Sequence, residues 1–312
     1  MSNTPYFSVI VPAYQAERTL RRCLESIVNQ SFNDFEVIII NDGSTDQTYD
    51  ICKEYECEKV RVISQPNKGI SATRQLGLNQ AKGKYIQFID SDDWVDTSYF
   101  KNVYELLAAD DLDVLILDFW VEKINKTEYK SLGISCCEKE ELVKGLVTNI
   151  PGVLWNKIIR RELFAKYDIN FKSGLSYCED WVVTYHLFNS PTKIHYCKKA
   201  FYHYDMYSNV NSLARSINES TLKNRRDYLT YIKRMGLDKA YPKVYNTQCA
   251  GFAYIAVRSD LYTSKQYKAE FSGLDFMDTY LPSYKKMILR IASIFGLYAA
   301  SRFDGLVRRV MK

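Results

Sequence analysis

The chain has 312 residues, enough for one large domain or two modest ones. At 46% hydrophobic and 25% charged it is composed like a folded protein, and its 13 Gly and 7 Pro exclude collagen-like and Pro-rich classes. The net charge of +5 is concentrated at the end, where Lys285, Lys286, Arg290, Arg302, Arg308, Arg309 and Lys312 face a single anion, Asp304; the near-neutral remainder is unlike a nucleic-acid binder.

The apolar run at 7–11 reads as a first strand closed by Pro12, and Leu20, Leu24, Ile27 and Val28 are spaced for a helix over 17–29. A buried strand at 36–40 stops at a turn cluster, and a helix over 46–55 follows. A third strand lies at 60–63, then a helix over 70–81 stopped by Gly83. A fourth strand at 85–89 ends on acidic residues; a helix to about 109 and a strand at 113–117 follow. This alternation predicts an α/β fold with a mostly parallel sheet and helices on both faces. The alternation fails between 119 and 215, where a helix near 138–147, a helix over 179–188 and a short hairpin, 193–197 with 200–204, are expected. From 216 the pattern is helical, so the chain divides into 1–215 and 216–312.

The eight Cys form no Cys-x-x-Cys pair, so no zinc framework is readable, and free thiols in a cytoplasmic protein are expected. The polar first six residues do not resemble a signal peptide. No apolar run reaches the roughly 18 residues of a membrane span. The 25 Tyr suit sugars, headgroups or membrane interfaces.

Each of three strands ends on a polar cluster: Pro12-Ala13-Tyr14, Asn41-Asp42-Gly43-Ser44-Thr45-Asp46, and Asp90-Ser91-Asp92-Asp93. Ligands of open parallel sheets sit beyond the carboxyl ends of the strands, so the clusters should share one rim. Three carboxylates in four residues repel one another unless a cation sits among them. Oxygen ligands suit Mg²⁺ or Mn²⁺, which could bridge a diphosphate and neutralise it as it leaves. The bland alternative is a helix N-cap, which fits one Asp better than three. The Asn41–Asp46 cluster is equally a turn with Ser44 or Thr45 as a cap; beside the acidic cluster, Asp42 becomes an acceptor for a base N–H.

Lys68 and Arg74, at the entry to the third helix, would contact base or phosphates, or else belong to a solvated helix start. Glu179 and Asp180 offer either first-turn acids favoured by the helix dipole or a general base for an acceptor hydroxyl, and the sequence leaves both open. Asp93, Trp155, Lys157 and His203 are further candidates for phosphate or acceptor contacts, although Lys157 could simply be exposed and a lone His is more often structural.

Taken in order, these residues resemble a family 2 glycosyltransferase of the GT-A fold, of the inverting, bacterial cell-surface polysaccharide type. The likeness covers the first 215 residues and is densest from 7 to 94. It rests on Val9-Ile-Val-Pro-Ala-Tyr14, the Asn41–Asp46 cluster, the segment from Gly69 to Gly83, Tyr85-Ile-Gln-Phe-Ile-Asp-Ser-Asp-Asp93 and the Glu179-Asp180 pair. The resemblance implies a nucleotide-binding half at 1–118 and an acceptor-binding half at 119–215. Pro12 and Tyr14 would line the nucleoside pocket, Asp42 would accept from uracil N3–H, and Arg74 would lie at the base. Asp90, with Ser91, would face the ribose and metal side, Asp92 would ligate Mn²⁺ or Mg²⁺, and Asp180 would be the general base. The donor would be a nucleotide-sugar, a UDP-sugar above all, and the acceptor a saccharide or lipid-linked saccharide.

The chain departs from the family pattern at Gln15, commonly Asn, and at Thr73 and Gln75, commonly Ala and Asn. It lacks the Gln-x-x-Arg-Trp motif of processive synthases, so one sugar per encounter is expected. A sugar nucleotidyltransferase would need a Gly-rich basic loop where Pro12-Ala-Tyr-Gln-Ala16 stands, and a dehydrogenase would need Gly-x-Gly-x-x-Gly. An inactive scaffold of the same fold would have lost the acidic motifs, which are present. Residues 285–312 form a basic amphipathic segment suited to a membrane surface, or else to packing on the body of the protein or on a partner subunit. On the membrane reading, a peripheral position on the inner face of the cytoplasmic membrane is expected.

Overall fold

A computed structural model describes residues 4–208, 217–259 and 261–310. Residues 1–142 with 151–212 form one compact unit, and 143–150 with 213–312 form a second.

The first unit begins as the alternation predicts, with β1 (Phe7–Ala13), α1 (Leu20–Val28), β2 (Phe35–Asp42), α2 (Thr48–Glu54), β3 (Val60–Gln65), α3 (Ile70–Gln80) and β4 (Tyr85–Phe88). It continues through β5 (Trp94–Val95), α4 (Tyr99–Asp110), β6 (Val114–Lys123), β7 (Lys126–Lys130), α5 (Lys139–Gly145), whose last turn belongs to the second unit, β8 (Lys157–Arg160), α6 (Glu162–Lys166), α7 (Glu179–Asn189) and β9 (Ile194–Asp205). One sheet runs β3-β2-β1-β4-β8-β6-β9-β5, with β7 paired to β6. It is parallel from β3 through β4, and β8 then pairs antiparallel with both β4 and β6.

β1 is buried at all seven positions because it lies between two parallel neighbours, and this is why its sequence is continuously apolar rather than alternating. On the β4 side pairing stops at Ile10–Phe88, so Pro12, which has no N–H to give, lies where that neighbour has ended. α3 packs on β1 and β2, and Gly77 permits it: a Cβ there would lie 2.4 Å from Ile10 Cγ2. Gly83 does not stop α3, which already ends at Gln80 with Ala81 extended. Its lack of a side chain instead lets the chain pass β1, since a Cβ would sit 2.5 Å from the Ser8 amide nitrogen.

The expected hairpin at 193–204 is absent. β9 is one strand of 12 residues running parallel to β6. Lys198-Lys199, which read as a turn, is a bulge: the register steps from Leu117–Cys197 to Asp118–Ala200. The bulge lets β9 continue far enough to pair with β5 at Trp94–His203.

The second unit is helical as expected, with α8 (Glu219–Arg234), α9 (Leu237–Ala240), α10 (Pro242–Val257), α11 (Ser264–Phe271), α12 (Ser283–Phe295) and α13 (Leu297–Val310). Asn218 opens α8 with a capping box to Thr221, and Thr263 opens α11 with another to Gln266. Ala250, Ala253, Ile288, Leu289, Ala292 and Ala300 lie in its core. Gly296, at φ 88°, turns the chain between α12 and α13. No helix among the described residues is long and apolar enough to cross a membrane.

Candidate active site

The loops after β1 and β2 are tied together at the carboxyl edge of the sheet. The Gln15 backbone N–H donates to Ser44 Oγ at 3.1 Å, while Gln15 Oε1 accepts from the backbone N–H groups of Thr45 and Asp46 at 2.8 and 3.3 Å. The Ala16 N–H donates to Thr48 Oγ1 at 2.7 Å. Gln15 therefore works as a clamp between loops, in a left-handed conformation at φ 50°. Ser44 and Thr45 do not cap α2. Both face Gln15, and Asp46 Oδ1 accepts from the Thr48 N–H at 3.0 Å instead.

Asp42, at the end of β2, is buried. Its Oδ1 accepts from Gln65 Nε2 at 2.8 Å and the Lys68 N–H at 2.9 Å, and its Oδ2 accepts from the Gly69 N–H at 2.9 Å. The carboxylate thus shapes the 65–69 loop, and one of its roughly four acceptor positions is left over. Lys68 contributes its backbone here and its side chain is exposed. Tyr14 stands exposed above the edge and Pro12 is buried beneath it.

Arg74 is the hub of the site. It is buried, and its guanidinium spans Asp90 Oδ1 at 3.0 Å and Glu179 Oε1 at 2.5 Å. It joins the acidic end of β4 to the acidic start of α7, the latter 105 residues from Arg74 along the chain. Arg74 is expected at the base from the sequence; its guanidinium is engaged by two carboxylates, as a buried cation requires. Its Nε is buried without a hydrogen-bond partner. Thr73 and Gln75 serve the same wall: Gln65 Nε2 donates to Thr73 Oγ1, and the Phe171 N–H donates to Gln75 Oε1 at 2.9 Å.

Glu179 and Asp180 fill the first turn of α7; the cap position belongs to Cys178, which makes no side-chain cap. Burial and the charge of Asp180 push the Glu179 carboxyl up to about 7, against the Arg74 guanidinium that pulls it down. Burial likewise raises Asp180 above the usual carboxylate range, again opposed by Arg74. Asp180 Oδ1 accepts from the Trp181 N–H at 2.8 Å.

The acidic run 90–93 does not converge. Asp90 pairs with Arg74, Ser91 and Asp92 lie partly exposed, and Asp93 turns inward. Asp93 is fully buried: Tyr202 OH donates to its Oδ2 at 2.6 Å and the Asp205 N–H donates to its Oδ1 at 2.8 Å. It pins β9 to the start of β5, and both of its oxygens are engaged there rather than held out for a ligand. Among the described residues no group of three or more His, Cys, Asp or Glu side chains is arranged to hold a metal ion. Repulsion within the run persists at Asp93, whose carboxyl is pushed well up by burial and by the charges of Asp92 and Asp90, while Asp90 is offset by its pairing with Arg74.

Three more candidates are structural. Trp155 is buried and stacks on Tyr202 at 4.7 Å and on Tyr204 at 5.4 Å between ring centroids, so it is core. Lys157 is not exposed, and its ammonium lies close enough to Asp180 for each charge to favour the other. It is fully buried, with Nζ donating to Pro151 O, Val153 O and Asn156 Oδ1 at 3.0, 2.6 and 2.9 Å, and it shapes the 151–156 loop. Burial pulls its ammonium down to about 7. His203 lies between Glu122 Oε1 at 2.7 Å and Asp96 Oδ1 at 3.2 Å and stacks on Trp94 at 5.0 Å, so its ring nitrogens are already engaged.

Arg22 of α1 was not singled out by the sequence. Its Nη2 donates to the Asp92 backbone carbonyl at 2.7 Å and to Asp205 Oδ2 at 2.6 Å, and its guanidinium lies 3.8 Å from the centre of the Trp94 ring. It fixes the backbone that carries Asp92. No local pattern marks it, because its partners lie 70 and 183 residues away.

The profile of glycosyl transferase family 2 matches residues 8–168, more than half of the chain. The chain belongs to glycosyl transferase family 2. Among family 2 relatives, EpsH of Bacillus subtilis is 33% identical over 213 residues, 65% of this chain and 62% of EpsH. The minor teichoic acid biosynthesis protein GgaB, also of Bacillus subtilis, is 28% identical over 242 residues, 73% of this chain and 26% of GgaB. The chain thus spans less than two thirds of either relative. S. aureus TarS 1–349, solved in complex with UDP-GlcNAc, shares the fold with a TM-score of 0.64 at 19% identity, covering 97% of this chain and 91% of that one.

Proposed function

We propose that this protein is an inverting glycosyltransferase that moves one sugar from a UDP-sugar to a hydroxyl of a saccharide or lipid-linked saccharide acceptor in cell-surface polysaccharide synthesis. The carrying observation is the Arg74 bridge, which brings the Asp90–Asp92 segment and the Glu179-Asp180 pair into one site at the carboxyl edge of a parallel sheet. Family membership supports the reaction class, the UDP-GlcNAc complex of TarS supports the donor class, and the role of GgaB in teichoic acid biosynthesis supports a polymer acceptor.

Asp180 takes the proton from the acceptor hydroxyl. Its raised carboxyl makes it a stronger base than an ordinary aspartate while it is ionised. The acceptor oxygen then attacks the anomeric carbon from the face opposite the leaving UDP, which inverts the centre. Arg74 keeps Asp90 and Glu179 in place and offsets the charge of three neighbouring carboxylates. Asp92, partly exposed and with its backbone held by Arg22, is the side chain that would hold Mn²⁺ or Mg²⁺. Such ions commonly take only one or two carboxylates and complete their shell with substrate phosphates and water, so the separated carboxylates fit. Bound there, the ion would neutralise charge on the departing diphosphate.

Incubation with UDP-sugars and oligosaccharide acceptors tests the reaction. Release of UDP and a product of opposite anomeric configuration are expected. Release of pyrophosphate would reassign the protein as a nucleotidyltransferase, and retention of configuration would remove the single-displacement mechanism.

A further inference from the structure

We propose that the outward sides of α12 and α13 form a docking surface for an anionic lipid membrane, lying in its interface without crossing it. Both helices bury one side in the core of the second unit through Ile288, Leu289, Ala292, Leu297 and Ala300. The other sides expose Met287, Ile294, Phe295, Tyr298 and Leu306, with Phe295 72% and Tyr298 75% exposed. Arg290 and Arg302 share these exposed sides with Arg308 and Arg309. A run of large apolar side chains among exposed cations is the pattern of an interfacial helix pair.

The charge balance selects the partner. Asp304 is the one anion between 279 and 310, and it is buried. It accepts from Tyr254 OH at 2.6 Å and pairs with Arg308 Nε at 2.9 Å. The exposed sides of the two helices therefore offer cations and apolar groups with no carboxylate of their own; the nearest exposed acids by sequence, Asp275 and Asp278, lie on the loop before α12, where Lys286 Nζ donates to Met277 O. A second copy of the chain is the poorer occupant, because a two-fold contact would set this cationic face against itself. Neither helix is long and apolar enough to span a bilayer, so the surface lies in the headgroup region.

Deleting 285–312 would strip Ile288, Leu289 and Ala292 from the core, so surface substitutions are the proper test. The full chain is sedimented with vesicles of phosphatidylcholine alone and of phosphatidylcholine with phosphatidylglycerol. Binding to the anionic vesicles, at least tenfold weaker to the neutral ones and falling with salt, is expected. R290E/R302E/R309E should weaken it by about a hundredfold or more, at roughly fivefold per cation. F295S/Y298S should weaken it with the charges intact. Melting temperature checks that each variant folds. No vesicle binding, equal binding to neutral vesicles, or binding unaffected by both variants overturns the proposal. Sedimentation velocity showing a dimer that F295S/Y298S splits, without vesicle binding, assigns the face to a second copy instead.

Discussion

Asp180→Asn lowers kcat about a thousandfold, the usual loss for a positioned general base, and leaves UDP binding within a few-fold. The side chain keeps its shape and can still accept from the Trp181 N–H, so α7 keeps its first turn. What disappears is a carboxylate raised by burial, placed beside a second raised carboxyl. The wild-type profile of kcat/KM against pH should fall on the acid side with an apparent pKa above the ordinary aspartate range. The sign follows from the chemistry: a base works only when ionised, and burial delays ionisation as pH rises. Glu179→Gln is the paired measurement. A small loss in Asp180→Asn together with a large one in Glu179→Gln would move the base to Glu179, whose carboxyl titrates at about 7.

Arg74→Met destabilises the fold by about 3–5 kcal/mol, because it leaves buried carboxylates without their cation. Asp90 and Glu179 both lose a direct partner, and Asp180 loses a neighbouring positive charge. The same loss raises both acids of the pair further, since Arg74 pulls each of them down. Arg74→Lys keeps the charge and loses the fork that spans two partners, so it should fold better and still show an acid limb moved to higher pH. Denaturant unfolding and the pH profile of kcat/KM read the two effects separately. An Arg74→Met variant as stable as wild type with an unmoved acid limb would show that the bridge matters neither to the fold nor to the base.

The first half of the fold was legible because its pattern is local. Continuous apolar runs gave β1 and β2, and polar clusters at their ends marked the edge where the site lies. Legibility ended where long-range pairing decides what a residue does. Asp90, Asp92 and Asp93 look alike in the chain, yet Asp93 is claimed by Tyr202 of β9, 109 residues on. That contact exists because β9 passes through a bulge at Lys198-Lys199 that mimics a turn. Lys157 read as a phosphate contact or a surface cation because no sequence rule shows that three oxygens of its own neighbourhood will enclose it. Arg74 was recognised as part of the site but not as its bridge, since both of its partners arrive through tertiary structure.

The most direct test of a nucleoside diphosphate site is a calorimetric titration of the protein with UDP, with and without Mn²⁺, repeated on Asp92→Ala. Micromolar binding that needs the metal and weakens at least tenfold in the variant is the expected result. UDP binding that ignores both the metal and the substitution would contradict the role given to Asp92, and the absence of UDP binding under any condition would contradict the donor itself.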